Sequence, residues 1–144
     1  MANYSVEDLI VKGCTIKSRE VDGKVLWTLK FEFEEFQQKE EDGGNKTPVS
    51  LGFSDFDLGI ERIEDLDGFT TELREKFHDG GDGSLYLFEH NPLNWMKLKF
   101  TKAGENRYSV ECECSVEFSG FTGEGDQDKD FRLSFTTIAD HEAR

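Results

Sequence analysis

The sequence lacks the features that would place it in a membrane or in an oxidising compartment. No stretch approaches the roughly 18 apolar residues of a membrane span, and residues 1–8 hold no basic segment followed by an apolar run. Three cysteines, an odd number, do not make a disulfide framework. These absences predict a protein that acts in the cytoplasm, and the length of 144 residues predicts one domain over residues 1–144.

Signatures of catalysis are also missing. The chain has no G-x-S-x-G elbow, no H-E-x-x-H and no glycine-rich phosphate loop. Cys112 and Cys114 lack the paired C-x-x-C knuckles of a zinc site, and as alternate residues of one strand they face the core. We therefore expect buried free thiols, no catalytic residues, no cofactor and no enzyme activity.

One acidic motif invites a calcium interpretation. Asp126, Asp128 and Asp130 form D-x-D-x-D, but Phe131 stands where the calcium loop needs glycine and Thr137 where it needs glutamate. A solvated acidic loop is the better interpretation. The expectation is that no metal is needed for folding, so that a chelator leaves thermal unfolding unchanged.

Positive charge is scarce. Lys and Arg number 17 against 31 Asp and Glu, which gives a formal net charge of −14. Such a charge repels nucleic acid and anionic membrane and speeds association with a basic protein. Plain solubility is the competing explanation. We expect a basic protein partner, with no nucleic acid and no membrane, and leave the oligomeric state open.

Alternating aromatic strands are what the chain has in abundance. Apolar and polar residues alternate over 24–36 and again over 107–118, which is typical of strands with one buried face. Shorter strands are predicted at 9–17, 49–53, 85–89, 95–100 and 131–138, which makes about seven. The predicted core includes Trp27, Leu29, Phe31, Val110 and Cys112.

Two hairpins connect these strands. Asp22-Gly23 predicts a tight turn, because glycine tolerates the positive φ that such turns demand. The second turn lies within 102–106, and core residues must oppose core residues across it. That parity places Lys97 and Lys99 opposite Ser109, Glu111 or Glu113 on the outer face.

The period changes between residues 61 and 78. The apolar residues there recur at helical spacing, namely Ile63, Leu66, Phe69, Leu73 and Phe77. Acidic residues fill the first turns and Asp79-Gly80-Gly81 would stop the helix. Gly68 costs such a helix about 1 kcal/mol. The expected fold is α+β: a twisted, mostly antiparallel sheet, half-barrel or two-layered, with this one amphipathic helix packed on it.

The candidate partner-binding residues are acidic and lie on the outer faces of the two long strands and the loop after the first. The first cluster is Glu32, Glu34, Glu35, Glu40, Glu41 and Asp42, and the second is Glu111, Glu113 and Glu117. The first cluster is the preferred candidate for the binding surface, because Lys97 and Lys99 partly neutralise the charge of the second cluster. A merely solvated strand face is the competing interpretation.

The order of elements resembles that of small bacterial immunity proteins encoded beside contact-dependent or wall-associated toxins. The segment 84–93 carries Phe88, Glu89, Asn91 and Leu93, similar to a phrase F-x-E-P-N-L with Pro92 displaced. The resemblance implies an inhibitor that covers the active site of a toxin, commonly a basic nuclease. The alternative is a β-sandwich or barrel module of a housekeeping protein that binds a small apolar ligand or another subunit.

Overall fold

The computed structural model describes residues 9–37, 40, 43–74, 83–87, 89–118 and 128–142. The described residues form ten strands and a short 3-10 helix at Ile63–Leu66. The strands are β1 (Val11–Val21), β2 (Lys24–Phe33), β3 (Phe36–Gln37), β4 (Lys46–Thr47), β5 (Ser50–Phe56), β6 (Thr70–Leu73), β7 (Ser84–Leu87), β8 (Glu89–Gly104), β9 (Arg107–Phe118) and β10 (Asp128–His141).

Seven strands close into a barrel in the order β8-β7-β5-β2-β1-β10-β9, and the pairing of β9 with β8 completes the circle. The neighbours are antiparallel except β1 and β10, which pair in parallel with Cys14 beside Ala139. β6 adds to the free end of β8, and β3 pairs with β4 as a separate small sheet. The expected half-barrel or two-layer sheet is therefore wrong, and the barrel is closed.

The predicted helix over 61–78 is wrong, and with it the α+β class. Residues 63–66 make only a 3-10 turn, Gly68 takes a φ of 80°, and β6 follows as a strand paired with β8. A positive φ cannot continue a right-handed helix, so Gly68 breaks it. Leu66 and Leu73 are buried as expected, and Phe69 is half-buried. Residues 75–78 lie outside the described part of the chain.

The predicted hairpins are confirmed. Asp22 and Gly23 take φ angles of 51° and 81° and join Val21 to Lys24. Across the second hairpin Lys97 pairs with Glu113 and Lys99 with Glu111, while Phe100 faces Val110. The register follows from the apolar alternation, because a slip of one residue would turn the core side chains out to water.

The interior of the barrel is filled by side chains. The five residues predicted for the core are all buried, together with Leu51, Phe53, Met96, Leu98 and Phe100. Phe135 of β10 meets Phe31 and Phe33 of β2 edge-on, with ring centroids 5.0 and 5.5 Å apart. These contacts join β2 and β10, the two neighbours of β1, inside the barrel.

A β-bulge distorts the pairing of β2 with β5. Trp27 pairs with Phe56 and Leu29 with Phe53, so β5 carries one extra residue between them. Asp55 takes up the irregularity with a φ of 57°, and its N–H donates to Thr28 Oγ1 at 3.1 Å. Its carboxylate accepts two hydrogen bonds from Arg19, both 2.8 Å long, which tie β5 to β1 across β2.

One end of the barrel is closed by residues 57–69, here called the cap. Trp27 Nε1 donates to the Ile60 carbonyl oxygen at 3.0 Å, and the Tyr108 hydroxyl donates to that of Ile63 at 3.1 Å. The Gly68 N–H donates to the Phe100 carbonyl oxygen at 2.9 Å. Leu66, fully buried, fills the opening. The cap is thus fastened to three strands of the barrel.

Candidate functional site

The predicted acidic residues are exposed wherever the structure describes them. Glu32 lies in β2, Glu34 and Glu35 directly follow it, and Glu40 lies further along the same connection. Glu111, Glu113 and Glu117 lie on the outer face of β9. Glu41 and Asp42 lie outside the described residues.

The two predicted clusters share one side of the barrel. β1 and β10 lie between β2 and β9, so the clusters are about 15 Å apart along the wall at ordinary strand spacing. Glu32 pairs with Gly13, and the Glu34 N–H donates to the Ile10 carbonyl oxygen at 2.7 Å. Between them lie Ile10, directly before β1 and 60% exposed, and Ile138 of β10, 40% exposed. We call this surface the lateral face.

Lysine side chains neutralise part of the negative charge on the lateral face. Lys30 Nζ lies 3.8 Å from Glu32, and Lys99 Nζ lies 4.0 Å from Glu111. Lys97 stands opposite Glu113 in the register. Each exposed pair at such distances contributes only about 0.2–1 kcal/mol to stability. Their effect is to lower the net negative charge of this face, for Glu32 as well as for the second cluster.

A further concentration of negative charge lies on the cap, all of whose residues the structure describes. Its carboxylates are Asp57, Glu61, Glu64, Asp65 and Asp67, and its only cation is Arg62, whose Nη2 lies 3.6 Å from Asp65. Glu61 and Glu64 are exposed and have no ion pair with another described residue. The half-buried side chains of Leu58, Ile60 and Ile63 pack beside them against the core. The cap therefore combines apolar contact area with carboxylates.

Sequence reasoning missed the cap as a surface because it assigned Glu64, Asp65 and Asp67 to the polar side of a helix. The signal was the density of acidic residues over 57–67 with a single cation among them. In the structure the cap charges meet the barrel at Tyr108. Burial raises the pKa of the Tyr108 hydroxyl, and the nearby Glu64 and Asp67 carboxylates raise it further.

Hydrogen bonds hold three of the five cap carboxylates in place. The Asp65 side chain accepts a bond from the Arg62 N–H at 3.2 Å, and Asp67 Oδ1 accepts one from the Lys102 N–H at 3.0 Å. Asp57 Oδ1 accepts one from the Gly59 N–H at 2.9 Å. A partner that binds here would meet charges that are already ordered, at a small entropic cost.

The three cysteines are buried and free, as predicted. Burial raises the pKa of the Cys14 thiol and of the Cys112 thiol, so both stay protonated near neutral pH. A thiol needs its thiolate form to act as a nucleophile or a metal ligand. These side chains therefore serve as small apolar groups of the core.

The barrel offers little to a small apolar ligand. The inward-facing side chains Trp27, Phe31 and Phe100 expose 1% of their surface or less. An open groove of about 640 Å³ lies on the outer wall around Gly52. Its lining includes the hydroxyl-bearing residues Thr28, Ser50, Ser54, Ser84 and Tyr86. Apolar sites are lined mainly by hydrophobic side chains, whereas this groove mixes the hydroxyl-bearing residues with Leu29, Leu51, Phe53 and Pro92.

Comparison of the chain with models of known protein families, with curated proteins and with solved structures finds no match. Within the described residues, no helix has the length and apolar character to cross a membrane. The same residues bring together no three His, Cys, Asp or Glu side chains as a metal site. Functional inference therefore starts from the charged surfaces.

Proposed function

We propose that this chain is a non-catalytic binding protein that neutralises a basic protein toxin in the cytoplasm of a bacterium by covering its functional surface. The likeness of segment 84–93 to a phrase found in small immunity proteins motivates the toxin. The net charge of −14 motivates the basic partner. Both motives come from the sequence, and the exposed carboxylates of the cap support it as the binding surface.

The observation that carries the proposal is the composition of the cap. Five carboxylates and one cation share eleven residues, 57–67, beside three half-buried apolar side chains. Protein interfaces combine an apolar centre with a polar rim, and complementary charge raises the rate of encounter. A nuclease must bind phosphates with cationic side chains, and the carboxylates of the cap can form ion pairs with the same cations.

The lateral face is the second candidate surface for the same function. It has two exposed isoleucines between its acidic clusters, but Lys30 and Lys99 answer part of its charge. We rank it below the cap for that reason. The alternative function, binding of a small apolar ligand, loses support because the interior is filled.

Charge reversal on the cap tests the proposal. Glu61→Lys with Glu64→Lys changes exposed side chains that make no ion pair with a described residue, so the barrel should stay folded. Binding is measured against the protein encoded beside this chain, by stopped-flow association at low and at high salt. We expect the double variant to associate about tenfold more slowly at low salt and to lose most of the salt dependence.

Glu34→Lys with Glu35→Lys is the matched control, because it makes the same change of charge on the lateral face. We expect it to alter the association rate much less. If only this control slows association, the lateral face is the interface and the cap is not. If neither variant changes the rate, electrostatic docking by acidic residues is refuted. If the neighbouring protein does not bind at all, the toxin proposal fails.

A further inference from the structure

Two arginines converge on one tryptophan in this acidic chain. Arg74 Cζ lies over the Trp95 ring at 5.5 Å from its centroid, and Arg132 Cζ lies over the same ring at 5.7 Å. Arg74 directly follows β6, Trp95 lies in β8 and Arg132 in β10. Three separate segments therefore bring these side chains to one place on the outer wall.

The register of the sheet explains how they meet. Leu73 pairs with Met96, so Arg74 comes beside Trp95, which in turn pairs with Ser115 of β9. Ser115 pairs with Arg132. Arg74, Trp95, Ser115 and Arg132 thus form one row across four strands, here called the Trp95 row.

Ser115 makes the row continuous. It points outward by the alternation of β9, yet it is only 1% exposed. Asn94 Nδ2 donates to its hydroxyl at 3.3 Å. A small side chain at this position lets the indole of Trp95 lie across β9 toward Arg132. A larger residue would separate the indole from Arg132.

The Trp95 row brings two positive charges to one ring, whereas Lys97, on the same wall, lies between two carboxylates. Lys97 pairs with Glu72 on one side and with Glu113 on the other, so acidic neighbours partly neutralise its charge. Arg74 Nε donates to Glu72 at 3.2 Å, and its side chain is 60% exposed. Two like charges over one ring repel each other, and an anion bound between them offsets that repulsion.

We propose that the Trp95 row is a binding site for a carboxylate of a polypeptide partner, with an adjoining aromatic or aliphatic group packed on Trp95. A guanidinium stacked on an indole keeps its N–H edge directed outward, where it pairs with a carboxylate in a planar, two-bond geometry. A singly charged carboxylate suits this chain better than a phosphate dianion, because the net charge of −14 opposes each added negative charge. Tryptophan and arginine are also the residues that contribute most often to binding energy at protein interfaces.

The test uses the whole protein and N-acetylphenylalanine, a small molecule with one carboxylate beside an aromatic ring. Binding is followed by ¹H–¹⁵N NMR of the two indole N–H signals, and the spectrum of Trp95→Phe identifies the Trp95 signal. We expect the Trp95 signal to shift saturably at millimolar ligand. The Trp27 signal should not move, because that side chain is buried and its N–H is bonded to Ile60. Arg74→Gln and Arg132→Gln should each weaken binding at least about fivefold.

Three controls make the proposal falsifiable. Lys24→Gln removes one positive charge from an exposed residue in the opposite, turn-bearing part of the barrel and should leave the affinity unchanged. N-acetylphenylalaninamide has the ring without the carboxylate and should not bind. Equal affinity for the amide would reduce the site to an apolar contact and overturn the proposal. An unshifted Trp95 signal, full affinity in Arg132→Gln, or tighter binding of phenyl phosphate would overturn it as well.

Discussion

Replacing Gly52 by alanine should break the pairing of β2 with β5. A Cβ built at Gly52 would lie 2.0 Å from the Leu29 carbonyl oxygen, 3.0 Å from its carbonyl carbon and 3.1 Å from Lys30 Cα. Real Cβ atoms essentially never approach other heavy atoms closer than 3.0 Å, so one strand must move by about 1 Å. The obstacle is backbone, which no change of rotamer can relieve. We expect Gly52→Ala to cost about 3 kcal/mol, which lowers the melting temperature by about 6–12 °C.

Gly13→Ala is the matched control, because it makes the same substitution in β1 on the same outer wall. Its Cβ would meet nothing within 4 Å. Alanine also restricts the unfolded chain, so we expect between no change and about 1 kcal/mol of stabilisation. Urea unfolding followed by circular dichroism measures both. The reasoning is refuted if Gly52→Ala is as stable as the wild type or if the two variants lose equal stability.

Two further predictions concern the cap. Leu66→Ala should lower the free energy of unfolding in urea by about 2–5 kcal/mol, because the Leu66 side chain is fully buried. Ile10→Ala is the control and should change that free energy by no more than about 0.5 kcal/mol, because Ile10 is 60% exposed. Equal losses of stability would mean that Leu66 does not fill the end of the barrel. Tyr108→Phe should cost about 1 kcal/mol near neutral pH through the lost bond to Ile63. Because the pKa of Tyr108 is raised from 10.0, the folded state keeps the hydroxyl proton to higher pH than the unfolded state does. The stability of the wild type should therefore fall as the pH rises above 10.0, and the variant should lack that part of the fall. Urea midpoints measured for both proteins across this pH range test the prediction.

Local patterns predicted the strands that alternate cleanly. The bounds of β9 are those expected, and the pairing of Lys97 with Glu113 followed from the rule that apolar residues face one another. The buried thiols of Cys112 and Cys114 followed from the same alternation. In these segments one face of the strand is exposed to solvent and the other is buried, so the local alternation of residues is enough to predict the strand.

The segment around Gly68 shows where such patterns fail. Apolar residues at 63, 66, 69 and 73 fit a helix, yet the same spacing serves a 3-10 turn followed by a strand. The decision depends on β8, which offers a partner for β6 and is remote in the chain. Propensity is a weak prior when tertiary pairing competes. The cap could not be recognised as a surface until this segment was known to close the barrel.

The candidate sites were predictable to different degrees. Exposure of Glu32 and Glu111 followed from strand alternation. Convergence of Arg74 and Arg132 on Trp95 depends on the register of four strands, which no local pattern specifies. Pairing between distant segments therefore decides which charges act together.

The parallel pair of β1 and β10 dictates when the barrel can close during protein synthesis. β1 leaves the ribosome before β10, because its partners Ala139 and His141 are added more than a hundred residues later. At about 5–20 residues per second this interval is on the order of ten seconds. Throughout it the backbone groups on one edge of β1 have no native strand to bond, and such an edge recruits strands from other chains. We therefore expect the nascent chain to need a chaperone that shields the edge of β1, although this edge is paired in the finished barrel.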